Sequence, residues 1–172
     1  IIAAHEGRVP DLILDFWEHH GIGELAGGLI TLCAPQMFDE PLALLLDGDP
    51  DFGSGTLALA YGPFGTLLLW NAREWLALLS HPGAMIDAPL VGRSKAGLDP
   101  SRFLFDHVLN GDPRIMDVFD DQGVEMHEAA RAALGELSPG LIYGLMPPDD
   151  FDTVEIGRLQ IVEATEWMGE RF

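Results

Sequence analysis

Glu18, His19 and His20 are three consecutive side chains able to hold a metal ion, and a metal-bound water is a common hydrolytic nucleophile. Their spacing works against that chemistry. Neighbouring helix positions point about 100° apart and share no face. A helical zinc pair wants positions i and i+4, as in His-Glu-x-x-His. Histidines at the end of a helix also complement the macrodipole with no ligand at all. His5, His81, His107 and His127 carry no better pattern: His81 falls in a turn, and His107 and His127 lie on expected helices beside Asp106 and Glu128. No nucleophile-elbow motif marks a Ser/His/Asp set.

Phosphate chemistry fares no better. Gly53-Ser54-Gly55 lacks the lysine and helix that a phosphate loop requires, and Gly21-Ile22-Gly23 follows a helix, where a dinucleotide fingerprint follows a strand. Asp47, Asp49 and Asp51 have the spacing that opens a calcium loop, but Pro50 interrupts them and the expected glycine and distal glutamate are out of place. Cys33, the single cysteine, sits in the apolar run Leu29–Cys33 and reads as a buried, inert thiol. Without a second cysteine no disulfide forms within the chain, which favours a reducing compartment. Trp17, Trp70, Trp75 and Trp167 all fall on expected regular elements and read as core. We therefore expect no catalytic residue, no metal and no cofactor.

Binding is the remaining class, and charge points to it. The 172 residues include 28 acids against 9 bases, a formal net charge of −19, with Lys95 the only lysine. Such a chain repels nucleic acid and anionic membranes, having no basic stripe to neutralise phosphates. It attracts basic proteins and steers their approach. Solubility or a high-salt habitat would account for an acidic surface equally well. Three acidic clusters lie on expected loops, where binding residues concentrate: Asp47, Asp49 and Asp51; Asp117, Asp120 and Asp121; and Asp149, Asp150 and Asp152. These nine are the candidate partner-binding residues.

The elements that would carry them read as α+β, a central antiparallel sheet flanked by helices. Apolar residues make up 48% of the chain, enough for a packed core. Runs such as Gly65–Trp70 are far shorter than the ~20 residues of a membrane span. Pro10 and Asp11 open a helix that Gly21 and Gly23 end, and Gly28–Cys33 reads as a strand. Gln36–Leu46 is a second helix, which Pro41 kinks or splits. Thr56–Tyr61 and Thr66–Trp70 flank Gly62-Pro63-Phe64-Gly65 as a hairpin; Glu74–Leu79 and Ala84–Ile86 flank a second turn, making a meander. Helices follow from Asp99 to Leu109 and from Gly123 to Leu134, then a short strand over Leu141–Met146 and a final helix over Gly157–Glu170. A seam is expected near Gly92–Asp99, dividing residues 1–95 from a helical subdomain, 96–172, packed on them.

Three stretches resemble a known family. Val9–Gly23, with Gly28-Leu29-Ile30 and Pro35 after it, resembles the opening of GAD-like domains: a proline-led helix closed by a Trp-x-x-x-Gly-x-Gly type turn. Ala60–Trp70 resembles that family's hairpin, with its Phe-Gly-x-Leu-x-x-Trp signature, and Leu134–Pro147 is similar to the companion C-terminal domain found with it. The resemblance implies a GAD-like domain over residues 1–95. It also implies a cytoplasmic bacterial immunity protein that binds a cognate type VI secreted toxin and covers its active surface. Several such toxins are nucleases, so the implied partner is a basic DNase effector, with no direct contact to nucleic acid or membrane.

Other readings stay open at the level of sequence. An immunity protein of the SMI1/KNR4-like group also opens with a proline-led helix and a glycine turn. A metal-dependent hydrolase would use Glu18, His19, His20 and a distant acid. A structural adaptor would have no toxin partner.

Overall fold

In the computed structural model, residues 2–80, 85–147 and 154–169 are described. Two short N-terminal helices, α1 (Ile2–His5) and α2 (Asp11–His20), precede the strands β1 (Gly23–Leu25) and β2 (Ile30–Leu32). A 3-10 turn and α3 (Asp39–Leu45) lead to β3 (Thr56–Tyr61), β4 (Leu67–Asn71), β5 (Trp75–Ser80) and β6 (Met85–Asp87). These form one six-stranded sheet in the order β1 to β6, every neighbouring pair antiparallel. The expected α+β meander is present. The second half adds α4 (Pro100–Leu104), α5 (His127–Leu134), an antiparallel pair β7 (Leu141–Leu145) and β8 (Leu159–Glu163), and α6 (Ala164–Gly169).

The sheet is buried on both faces because its central strands are apolar on both. Successive side chains of a strand alternate between faces. In β4, Leu68 and Trp70 join a core with Ile13 and Trp17 of α2 and Leu104 of α4. Leu67 and Leu69 join a second core with Leu42 of α3, Ala130 of α5, Ile142 of β7 and Trp167 of α6. One strand departs from strict alternation. The β3–β4 register shifts between Ala58 and Ala60, so Leu59 and Ala60 both face the α2–α4 side. Tyr61 thereby turns to the opposite side, where unbroken alternation would not have put it.

The β3–β4 turn, Gly62-Pro63-Phe64-Gly65, is wholly buried, unlike an ordinary hairpin tip. The Tyr143 N–H donates to the Pro63 carbonyl at 2.7 Å, and the Phe64 and Tyr143 rings pack 5.7 Å apart. The turn is thus the joint on which the β7–β8 pair docks. Gly65 is there for two reasons: its φ is +85°, and a Cβ would stand 2.9 Å from the Trp167 ring. The seam segment is also tied to the sheet. Lys95 reaches Glu74 at 3.2 Å, and both side chains are largely buried.

Several expectations shift. The predicted final helix over Gly157–Glu170 is not one helix. Ile156–Arg158 is a 3-10 turn, Leu159–Glu163 is β8, and only Ala164–Gly169 is helical. Pairing with β7, as in Ile142 opposite Val162, overrides the helical spacing of Leu159, Ile161 and Val162. Gly23 does not simply end α2, for it starts β1, which pairs with β2. The predicted second helix is split at Phe38, leaving Pro41 in the first turn of α3, where its missing N–H costs nothing. The helix predicted from Gly123 starts at His127, because Phe119 and Glu125 bridge ahead of it. Beyond Leu104, Phe105–Leu109 continues as a π-helical turn. The turn expected at Ser80–Gly83 lies mostly outside the described residues. No helix among the described residues is long and apolar enough to cross a membrane.

Two measurements test this packing. Gly65→Ala should cost about 2–4 kcal/mol, combining left-handed strain with overpacking against Trp167, read as a lowered urea midpoint at unchanged slope. Cys33 is 2% exposed, and burial pushes its thiol up to about 12. An aromatic disulfide reagent should therefore label it only as the chain unfolds.

Candidate functional site

An enclosed polar hollow lies between the sheet's first strands and α5. Glu24 of β1, Gly27 and Gly28 of the following turn, Thr31 of β2 and Tyr61 of β3 form one wall. His127 and Arg131 of α5, Glu136 in the loop after it, and Tyr143 of β7 form the other. The chain has two tyrosines, and both line this cleft. The Tyr61 hydroxyl accepts the Gly140 N–H at 2.7 Å, and the Tyr143 hydroxyl donates to the Gly135 carbonyl at 2.6 Å. The two phenols therefore hold both ends of the 135–140 loop over the cleft.

Its electrostatics are mixed in type but acidic in balance. Arg131, the one guanidinium of the lining, pairs with the exposed Glu128 at 2.9 Å. Glu24 and Glu136 are exposed and have no ion pair among the described residues. Burial chiefly raises the Tyr143 phenol; the carboxylates of Glu136, Glu128 and Glu24 push it the same way, and Arg131 opposes them. Burial likewise raises the Tyr61 phenol.

His127 is 5% exposed. Its Nδ1 lies 4.0 Å from Glu128 Oε1, and its ring makes no hydrogen bond among the described residues. The imidazole edge faces Gly28, where a Cβ would lie 3.5 Å from both Nε2 and Cε1. The backbone opposite is held in the left-handed region over three successive residues, Ala26 at φ 52°, Gly27 at 69° and Gly28 at 95°. Ala26 pays no small strain there, about 1–2 kcal/mol for a residue with a Cβ.

The sequence-predicted acids divide by what their carboxylates already do. Asp117 is buried: its Oδ1 accepts from Val118 N–H at 2.8 Å and from His127 N–H at 3.1 Å. Met126 stands at the N-cap of α5 with no side-chain acceptor, so Asp117 caps that helix from outside it. Asp120 Oδ1 closes its own turn by accepting from Gln122 and Val124 N–H at 2.9 and 2.8 Å. Asp121 is exposed beside it. In the other loop Asp49 Oδ1 accepts from Asp51 and Phe52 N–H at 2.9 and 2.7 Å. Arg73 clamps that loop through the Pro50 carbonyl at 2.7 Å and the Asp51 carboxylate at 3.5 Å. Asp47 is exposed. Asp149, Asp150 and Asp152 lie outside the described residues. The two described clusters line separate hollows: Asp47, Asp49 and Asp51 border one with Arg73, and Asp117 borders one that shares His127 and Arg131 with the cleft.

Glu18, His19 and His20 do not converge on a metal geometry. His19 Nδ1 contacts the Asp15 carbonyl at 2.8 Å and the His20 ring packs on Phe16. Among the described residues no group of three or more His, Cys, Asp or Glu is placed to hold a metal ion. The cleft itself went unseen in the sequence, although two signals marked it: the Gly27-Gly28 pair and the scarcity of tyrosine.

The Asp117 cap is testable. Asp117→Ala should cost about 1–2 kcal/mol by leaving two N–H groups unsatisfied. Asp117→Asn keeps the acceptor and removes a buried charge. Burial raises the Asp117 carboxyl, outweighing the hydrogen bonds that lower it. An acid raised on folding contributes fully below its unfolded pKa and loses that contribution as pH climbs through the folded value. Urea melts across the acidic range should therefore show Asp117→Asn gaining on the wild type as pH rises.

Comparison with known proteins places the N-terminal half. The crystal structure of Atu4351 from Agrobacterium tumefaciens superposes with a TM-score of 0.90, covering 98% of this chain and 77% of that one. At 24% identity the likeness is one of fold. No curated protein sequence matches the chain. Residues 1–79, from α1 through most of β5, match the model of the GAD-like domain family.

Proposed function

We propose that this chain is a cytoplasmic immunity protein that binds a cognate type VI secreted toxin and neutralises it by covering its active surface. It acts by occupancy, with no turnover of its own. Residues 1–79 match the GAD-like family, which is commonly of immunity type. Leu134–Pro147, which carries β7, is the companion C-terminal domain in this reading.

The observation that carries the choice of partner is the charge of −19. A nuclease must be basic where it holds phosphates. An acidic protein can cover that surface and reach it quickly, because opposite potentials steer the encounter. The carboxylates free to do so are those not engaged within the fold. Asp47 and Asp121 are exposed, whereas Asp49, Asp117 and Asp120 hold their own loops.

Co-expression with the cognate secreted toxin should restore growth, and the two should co-purify. The double variant Asp47→Lys, Asp121→Lys should slow association about tenfold at low ionic strength and converge on the wild-type rate in high salt. Stopped-flow mixing across a salt series reads both. An unchanged rate with an unchanged salt slope would remove electrostatic capture from the proposal.

A further inference from the structure

The cleft described above is larger than packing needs and smaller than a cofactor needs. Its volume is about 100 Å³, against about 300–1,000 Å³ for pockets that take drug-sized ligands or cofactors. It suits the head of one side chain. From the lining we infer that the cleft between β2, α5 and the 135–140 loop seats a cationic side chain, an arginine or lysine, that a bound protein inserts. This rests on the reading of the chain as a binder of a basic protein and says where one anchor of that partner goes.

Two features favour a cation over an anion, and a third favours an inserted group of either sign. The first is charge. Arg131 is already paired with Glu128, while Glu24 and Glu136 on opposite walls have no cation among the described residues. An incoming guanidinium or ammonium would be attracted by these two carboxylates, whereas a phosphate would be repelled by them.

The second is His127. The His127 residue is 5% exposed, its ring makes no hydrogen bond among the described residues, and its nitrogens keep access to solvent. In its neutral form one ring nitrogen is an acceptor, which a cationic donor in the cleft would satisfy. The same ring borders a neighbouring hollow that is also lined by Asp117, Glu125, Glu128 and Arg131.

The third is preorganisation. Tyr61 and Tyr143 are tethered through their hydroxyls to Gly140 and Gly135, and Ala26–Gly28 is held left-handed opposite them. The walls stand in place before a ligand arrives, which lowers the ordering cost of binding.

The test uses the isolated chain and small probes, so it needs no toxin. The His127 ring resonances are followed by NMR while N-acetyl-arginine amide or N-acetyl-lysine amide is titrated in. Citrulline amide, neutral and nearly isosteric with arginine, and inorganic phosphate serve as the other arms. We expect a saturable shift with a cationic amide at a Kd on the order of 10 mM, as suits a single contact group. Citrulline amide should bind at least about tenfold more weakly, the loss expected when a charge-assisted contact becomes neutral. The double variant Glu24→Gln, Glu136→Gln changes only exposed side chains and should lose the response while its urea midpoint stays put.

Saturation by phosphate in place of the cationic amides, equal response to citrulline amide, or no saturable shift with either cation overturns the inference. A second arm separates it from the immunity reading. If the wild-type chain protects cells from the toxin and the double variant binds the toxin equally tightly, the cleft is not the anchor site and the immunity reading stands. If the wild-type chain gives no protection while the NMR response is present, the immunity reading falls and the cation site remains.

Discussion

Everything in this fold depends on the two-sided burial of the β3–β4 hairpin. Every residue from Leu57 to Asn71 is buried. A sheet with one dry face needs one covering layer; this one needs two. The helices α2 and α4 supply one cover. The other is assembled from α3, α5, α6 and the β7–β8 pair, contributed by distant parts of the chain. Hydrophobic burial at about 25 cal/mol per Å² makes either cover favourable only if it fits closely. The two halves of the chain are therefore committed to each other through one shared strand pair.

The cleft is a by-product of that commitment, and its chemistry is set by two local irregularities. The bulge in β3 swings Tyr61 from the α2–α4 face to the α5 face. The left-handed run at Ala26–Gly28 keeps β1 and its Glu24 on the far wall and leaves room for the His127 ring. Asp117 then fixes where α5 begins, and with it the position of His127. Residues far apart in sequence thus line one hollow because strand register, the Tyr61 and Tyr143 tethers and the Asp117 cap together set their separation.

Charge acts at two scales here. The net −19 gives a long-range field that screening attenuates beyond about 8–10 Å in physiological salt. At contact distance what matters is which carboxylates remain uncommitted. Asp49 and Asp120 look alike in sequence to Asp47 and Asp121, yet the first two are turn-closing acceptors and the second two face solvent. Counting acids measures the field; it does not identify the contacts.

The sequence by itself determined the antiparallel meander, the proline-led α2, the buried Cys33 and the acidic balance. Each is a short-range property: alternation of apolar residues, capping chemistry, a lone thiol in an apolar run, a sum of charges. Tertiary structure alone decided β8, because a strand that pairs with β7 can carry a helix-like pattern when its partner supplies the missing hydrogen bonds. It also decided that Asp117 is a cap and that Tyr61, His127 and Tyr143 meet. Those outcomes rest on contacts between residues dozens of positions apart, and no local window of sequence contains the register that creates them.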